Sequence, residues 1–254
     1  MNKLLELKNV SLTYQTKDDE INALSNLSFS CNEGEFISLI GPSGCGKTTV
    51  LSLIAGLINP TSGRILFKGN ALEKSKPNIG YMLQKDHLFP WRTIEKNIQL
   101  PLEIKKTKSK DSIKYANSLL EKYGLINFKK KYPHQLSGGM RQRVALIRTL
   151  VSKPSLLLLD EPFSALDSQT RLHVCDDVYS IIKAEEQTAI LVTHDISEAI
   201  SMSDIIIVLT NRPAQIKSIY RPNISGNSPL RRRENPQFSF WFEKIWKELT
   251  NEKE

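Results

Sequence analysis

No run of apolar residues in this sequence is long enough to cross a bilayer. The longest, LLLL at Leu156–Leu159 and IIIVL at Ile205–Leu209, fall far short of the roughly 20 residues that a membrane helix needs. The opening stretch, MNKLLELKNV, lacks the unbroken apolar core of a signal peptide, because charge interrupts it at once. Both absences point to a chain made and kept in the cytoplasm. Cysteine is scarce as well. Cys31, Cys45 and Cys175 show neither close pairing nor metal-ligand spacing. Cys31 and Cys175 read as reduced thiols. Cys45 differs, because it lies in a glycine-rich loop.

What is present is ordinary globular material. The 254 residues are 40% hydrophobic and 24% charged, enough for one large domain, or a core with a smaller insertion. A net charge of +8 admits an anionic partner. The basic clusters, such as KKTKSK at Lys105–Lys110 and RRR at Arg231–Arg233, read as solvated loops.

The alternation of LLELKNVSLTY predicts a half-buried strand, and LSNLSFSCNEGEFISLIG predicts two more around a turn at Glu33-Gly34. Helices are expected over Thr48–Gly56, Asp111–Tyr123 and Met140–Val151, and along SQTRLHVCDDVYSIIKAEE. RILFKG and IGYMLQ (Ile79–Gln84) read as short strands. SLLLLD and TAILVTH are continuously apolar, as expected for strands of a parallel sheet buried on both faces. Strands alternating with helices predict an α/β core. The helical stretch from about 86 to 151 interrupts it as a subdomain of its own. After Tyr220 the chain becomes rich in Pro, Ser and Arg and reads as a loop. It ends in a helix with Phe238, Trp241, Phe242, Ile245 and Leu249 on one face. That face suits docking on its own domain or on a partner better than lying on a membrane.

GPSGCGKT matches the phosphate-loop pattern G-x-x-x-x-G-K-[ST], with Gly41, Gly46, Lys47 and Thr48 at the fixed positions. It follows a strand and opens a helix, the setting this chemistry needs. Glycines let backbone amides converge on phosphate oxygens, and the helix start adds positive partial charge. Lys47 then reaches the β- and γ-phosphates, and the Thr48 hydroxyl suits Mg²⁺. Cys45, near the helix start and Lys47, is expected to favour thiolate. Asp160 ends an apolar strand, where a carboxylate holds Mg²⁺ through water, and Glu161 follows, suited to the water that attacks the γ-phosphate. Together these motifs predict an NTPase.

A second helix start also suits an anion: LSGGMRQR, from Leu136 to Arg143. The phosphate loop, LSGG, LLLLDEP and a later THD, in that order, resemble the ATP-binding subunit of ABC transporters from Tyr14 to about Pro213. The resemblance implies a P-loop NTPase (RecA-like) α/β core, an antiparallel β subdomain and an inserted α-helical subdomain. It places the ATP-binding domain at 1–225 and a basic tail at 226–254. It implies ATP and Mg²⁺ as cofactors. Tyr14 would stack on adenine, and Gly41, Pro42, Ser43, Gly44, Cys45, Gly46, Lys47, Thr48 and Thr49 would hold phosphate. Gln84 would touch the metal and the attacking water, and would face the membrane partner. Thr48, Gln84 and Asp160 form the implied metal set; Glu161, His194, Gln84 and Lys47 form the implied catalytic set. SALD, Ser164–Asp167, matches the family's D-loop. In this family two cassettes pack head to tail, so Ser137, Gly138 and Gly139 would cap an ATP held by a second copy.

QKDHLFPWRTIEKNIQLPL narrows the resemblance to nitrate/sulfonate/taurine-type importers, through Gln84, Leu88, Pro90, Trp91, Thr93 and Asn97. Arg212-Pro213 and the basic tail also fit; Lys85 departs, because relatives often place an acidic residue there. The implied partners are a second copy, transmembrane permease subunits and an extracytoplasmic binding protein, at the cytoplasmic face of the membrane. Nucleic acid is not expected. The alternatives are an ABC exporter ATPase, or a soluble ABC ATPase acting on nucleic acid.

Overall fold

A computed structural model of the chain describes residues 3–15 and 19–250. The elements begin with β1 (Lys3–Gln15), β2 (Glu20–Asn32), β3 (Phe36–Ile40), α1 (Lys47–Ile54), β4 (Ser62–Phe67), β5 (Asn70–Ala71) and α2 (Leu72–Ser75). There follow β6 (Ile79–Met82), α3 (Ile94–Ile104), α4 (Lys110–Lys122), α5 (Gly138–Leu150), β7 (Leu156–Asp160) and α6 (Ser168–Ala184). The rest comprises β8 (Ala189–Val192), α7 (Ile196–Met202), β9 (Ile205–Leu209), β10 (Ile216–Tyr220), α8 (Pro229–Arg233) and α9 (Gln237–Thr250). They divide into two units, Met1–Pro77 with Glu186–Glu254, and Asn78–Glu185.

In the first unit the alternating strands form an antiparallel sheet, ordered β2-β1-β4-β5. Leu5, Leu7, Val10 and Leu12 of β1 are buried. The continuously apolar strands form the second sheet of this unit, with β8 and β9 parallel to β3 on either side and β10 antiparallel beyond β9. Every residue of β3, β8 and β9 is buried, as a parallel sheet covered on both faces requires. Leu39 of β3 pairs with Val192 of β8. The loops that follow these two strands therefore leave the same edge, at the carboxyl ends where open α/β sheets place ligands.

The C-terminal helix lies on this unit. Ile245 is fully buried among Ile196, Ile200, Ile206, Val208 and Ile224, and Phe238, Trp241, Phe242 and Leu249 pack around it. The Tyr220 hydroxyl donates to Glu248 at 2.5 Å. The apolar stripe thus docks on its own domain. The stretch before it, expected as loop, contains α8. Pro229 stands at its first turn and the Ser228 hydroxyl accepts from the Arg231 amide, a combination that starts a helix despite the turn-like composition.

In the second unit β6 and β7 pair in parallel from Ile79–Leu156 to Met82–Leu159. Val144, Ala145, Leu146 and Ile147 of α5 are fully buried. This helix starts at Gly138, not at Met140 as its propensities suggest, because Ser137 caps it by accepting the Met140 amide. Close packing explains Gly139. A Cβ there would lie 2.7 Å from Cγ2 of Val174 on α6.

Candidate functional site

The phosphate loop joins β3 to α1. Gly46 caps the helix at φ 122°, a conformation that L side chains rarely adopt. A Cβ at Gly46 would also fall 2.9 Å from Leu24 Cδ2. Lys47 is only 6% exposed. Its ammonium donates to the carbonyls of Gly41 and Pro42, both at 2.8 Å. The cation is thereby folded over the loop and held at its centre, since a buried ammonium needs partners. The Pro42 carbonyl also accepts from the Cys45 amide at 3.3 Å. Thr48 and Thr49 follow in the first turn of α1. The Tyr14 hydroxyl, at the end of β1, donates to Thr49 Oγ1 at 3.5 Å, which brings the ring to the start of this helix.

His194 follows β8 and is exposed. A network that the sequence did not reveal holds its turn. The buried Thr193 hydroxyl donates to Glu198 at 2.5 Å and accepts from the Asp195 amide at 3.0 Å. Asp195 then caps α7 by accepting from the Ser197 and Glu198 amides. Tyr14, the phosphate loop and His194 thus belong to one unit, with the loop and the histidine at the same sheet edge.

The second unit gathers the other predicted residues. Asp160 ends β7 and is buried, and accepts from the Tyr81 hydroxyl at 3.3 Å. Glu161 comes next with φ 44°. A non-glycine residue in this left-handed region costs about 1–2 kcal/mol, and such strain concentrates at functional positions. Gln84 Nε2 donates to Glu161 Oε2 at 3.5 Å and to Ser164 Oγ at 3.2 Å. The Ser164 hydroxyl donates in turn to the Glu161 carbonyl. The glutamine, the acid and the SALD serine therefore form one hydrogen-bonded group.

Two arginines of α5 that were given no role in the sequence, Arg141 and Arg148, tie the segment after Gln84 to this helix. Arg141 Nε donates to Asp86 Oδ2 at 3.0 Å, and its Nη1 to the Leu136 carbonyl at 2.8 Å. Arg148 donates to the carbonyls of Asp86 and His87. Burial pulls the Arg148 pKa below the ordinary arginine value, against the attraction of Asp86. Arg141 and Arg148 are two turns apart on one helical face, a spacing visible in the sequence. Their target in a distant loop was not.

Cys45 corrects one expectation. Its side chain is 2% exposed, and its sulfur is tucked near Gly41. Cys31 and Cys175 are buried too. Burial first, then the charges of Glu35 and Asp204, push the Cys31 thiol up to about 12. Its contribution to stability is complete below the ordinary thiol pKa and is lost as pH climbs through about 12. A thiol-specific chromogenic reagent at pH 8 should therefore find essentially no fast-reacting cysteine in the native protein, and all three after denaturation. Rapid modification of Cys45 would contradict this burial.

Residues 24–164 match the ABC transporter family. The chain belongs to that family. It is 49% identical over 249 residues to the uncharacterized ABC transporter ATP-binding protein YtlC of Bacillus subtilis, covering 97% of this chain and 96% of that one. It is 40% identical over 221 residues to the aliphatic sulfonates import ATP-binding protein SsuB of Bacillus thuringiensis subsp. konkukian, covering 87% of each. Among solved structures it is similar to the dimeric post-hydrolysis state of the ATP-binding cassette MJ0796 bound to ADP and Pi. The TM-score is 0.71 at 31% identity, over 87% of this chain and 99% of that one. The chain is thus an ABC ATPase with the P-loop NTPase fold. Among the described residues, no helix is long and apolar enough to cross a membrane.

Proposed function

We propose that this ABC ATPase powers import of a small anionic or organic solute of the nitrate, sulfonate or taurine kind. It would act at the cytoplasmic face of the membrane, with transmembrane permease subunits and an extracytoplasmic binding protein. The observation that carries the ATP chemistry is the pair of capped helix starts, Gly46 before α1 and Ser137 before α5. Each aims backbone amides outward from a helix N-terminus, where an anion is favoured.

On the proposed assignment, Lys47 and the loop amides exchange their contacts with the Pro42 carbonyl for phosphate oxygens. Tyr14 stacks on the adenine, and His194 holds the γ-phosphate. Glu161 orients and polarises the attacking water, and Gln84 keeps that carboxylate in place. The hydroxyl of Thr48, the carboxylate of Asp160 and the amide oxygen of Gln84 are the hard oxygen donors that suit Mg²⁺. Gln84 directs its nitrogen to Glu161 and Ser164, which leaves its oxygen for a cation. Mg²⁺ would neutralise charge on the phosphates. Ser137, Gly138 and Gly139 cap the ATP of a second copy.

For the permease, the segment after Gln84 supports docking. Trp91 is 72% exposed and lies against Phe89. It borders a cleft of about 630 Å³ lined also by Arg92, Glu95, Lys96, Gln99 and Glu103. An exposed aromatic beside a polar cleft marks an interaction surface. The import reading is tested by uptake of labelled taurine or an alkanesulfonate in cells carrying the wild-type chain or Lys47→Ala. Uptake that depends on Lys47 is expected. Uptake equal in the two strains, for every solute of this kind, would reject the reading.

A further inference from the structure

The hairpin turn between β9 and β10 reaches the phosphate loop of the same unit, and no role of the site described above accounts for it. Arg212 Nη2 donates to the carbonyl of Gly44 at 2.8 Å. The turn is itself anchored. Thr210 N–H donates to the Gln215 carbonyl at 2.9 Å, and the Gln215 amide to Thr210 Oγ1 at 2.9 Å. Ala214 is fully buried and bonded on both sides to β2, donating to the Ala23 carbonyl and accepting from the Ser25 amide. The guanidinium therefore extends from a fixed support.

We infer that Arg212 is a positioning residue of the ATP site, acting through the Gly44–Cys45 peptide of the phosphate loop. A trans peptide is planar, and its carbonyl and N–H point in opposite directions. Holding the Gly44 oxygen outward thus holds the Cys45 N–H inward, where it now meets the Pro42 carbonyl that Lys47 also contacts. Gly44 itself has no other restraint on its plane from bulk. Its φ is 75°, and a Cβ there would meet nothing within 4 Å. A glycine at an exposed bend is the position where such a peptide rotates most easily. Arg212 fixes it without touching the nucleotide.

This inference rests on the reading of the loop as the phosphate site. Its test uses the full chain and fluorescent MgATP and MgADP analogues. Arg212→Ala should weaken both nucleotides together, by about fivefold, the effect of one charge-assisted bond discounted for exposure. The turnover number at saturating ATP should stay within about twofold, because the loop acts on binding and the reacting groups are untouched. Arg212→Lys, which keeps a cationic donor, should recover most of the lost affinity. The melting temperature of the nucleotide-free protein should not move. Unchanged affinities in Arg212→Ala would overturn the inference. So would lost turnover at unchanged affinity, which would place the arginine at the reaction itself. Lowered melting with no recovery by lysine would reduce it to a structural contact. Lys47→Ala is the control. If it still binds both nucleotides normally, the phosphate-site reading fails. If it loses them while Arg212→Ala does not, only the role of Arg212 fails.

Discussion

Glu161→Gln is expected to give a protein that binds ATP and dimerises with it, but turns it over about a hundredfold or more slowly. The substitution keeps the shape of the side chain and removes its charge. It should leave the strained backbone at φ 44° in place, because that conformation belongs to the turn out of β7. The side-chain amide oxygen can still accept from Gln84, and the backbone carbonyl from Ser164. What it cannot do is polarise a water toward the γ-phosphate. Binding and chemistry should therefore separate cleanly: nucleotide affinity preserved, phosphate release nearly abolished, and the ATP-loaded dimer persisting on a sizing column. Near-normal phosphate release by the purified variant would remove Glu161 from the role of base.

Much of this site was legible because its chemistry is local. The phosphate loop needs glycines, a lysine and a hydroxyl at fixed spacing between a strand and a helix, and β3 and α1 supply that frame around Gly41–Thr48. The apolar strands were legible for a similar reason. LLLLD and AILV have no polar face to expose, so burial on both sides was their only solution. The family resemblance then supplied roles for Tyr14, Gln84 and His194 that spacing alone does not give.

What escaped was long-range. Arg148 reads in sequence as an ordinary helix residue, yet its partners are carbonyls more than 60 positions away. Arg212 was part of a recognised dipeptide, but its contact with Gly44 spans 168 positions. Such bonds depend on how the strands are ordered in the sheet, which no local period encodes. Cys45 failed for a different reason. A helix start and a nearby ammonium do favour thiolate, but that rule presumes solvent access, and the loop turns this side chain inward. The start of α5 was misplaced because two glycines lower helix propensity, while the Ser137 cap and the close contact of Gly139 with α6 outweigh it.

On the proposed assignment, one chain supplies the phosphate loop and a second copy supplies the signature start that closes on its ATP. Ser137→Arg places bulk and charge where that closure occurs, and removes the hydroxyl that caps α5. Lys47→Ala removes the cation held at the centre of the loop. Each variant alone should be inactive, because both composite sites of a symmetric dimer then carry the same defect. The decisive measurement is single-turnover ATP hydrolysis by a covalently tethered dimer carrying Ser137→Arg in one copy and Lys47→Ala in the other. If the sites are shared between copies, one site carries both defects and the other carries neither, and the intact site should hydrolyse about one ATP per dimer. Complete inactivity, with dimer formation and ATP loading confirmed, would mean that each site had kept one defect, and would contradict the shared arrangement.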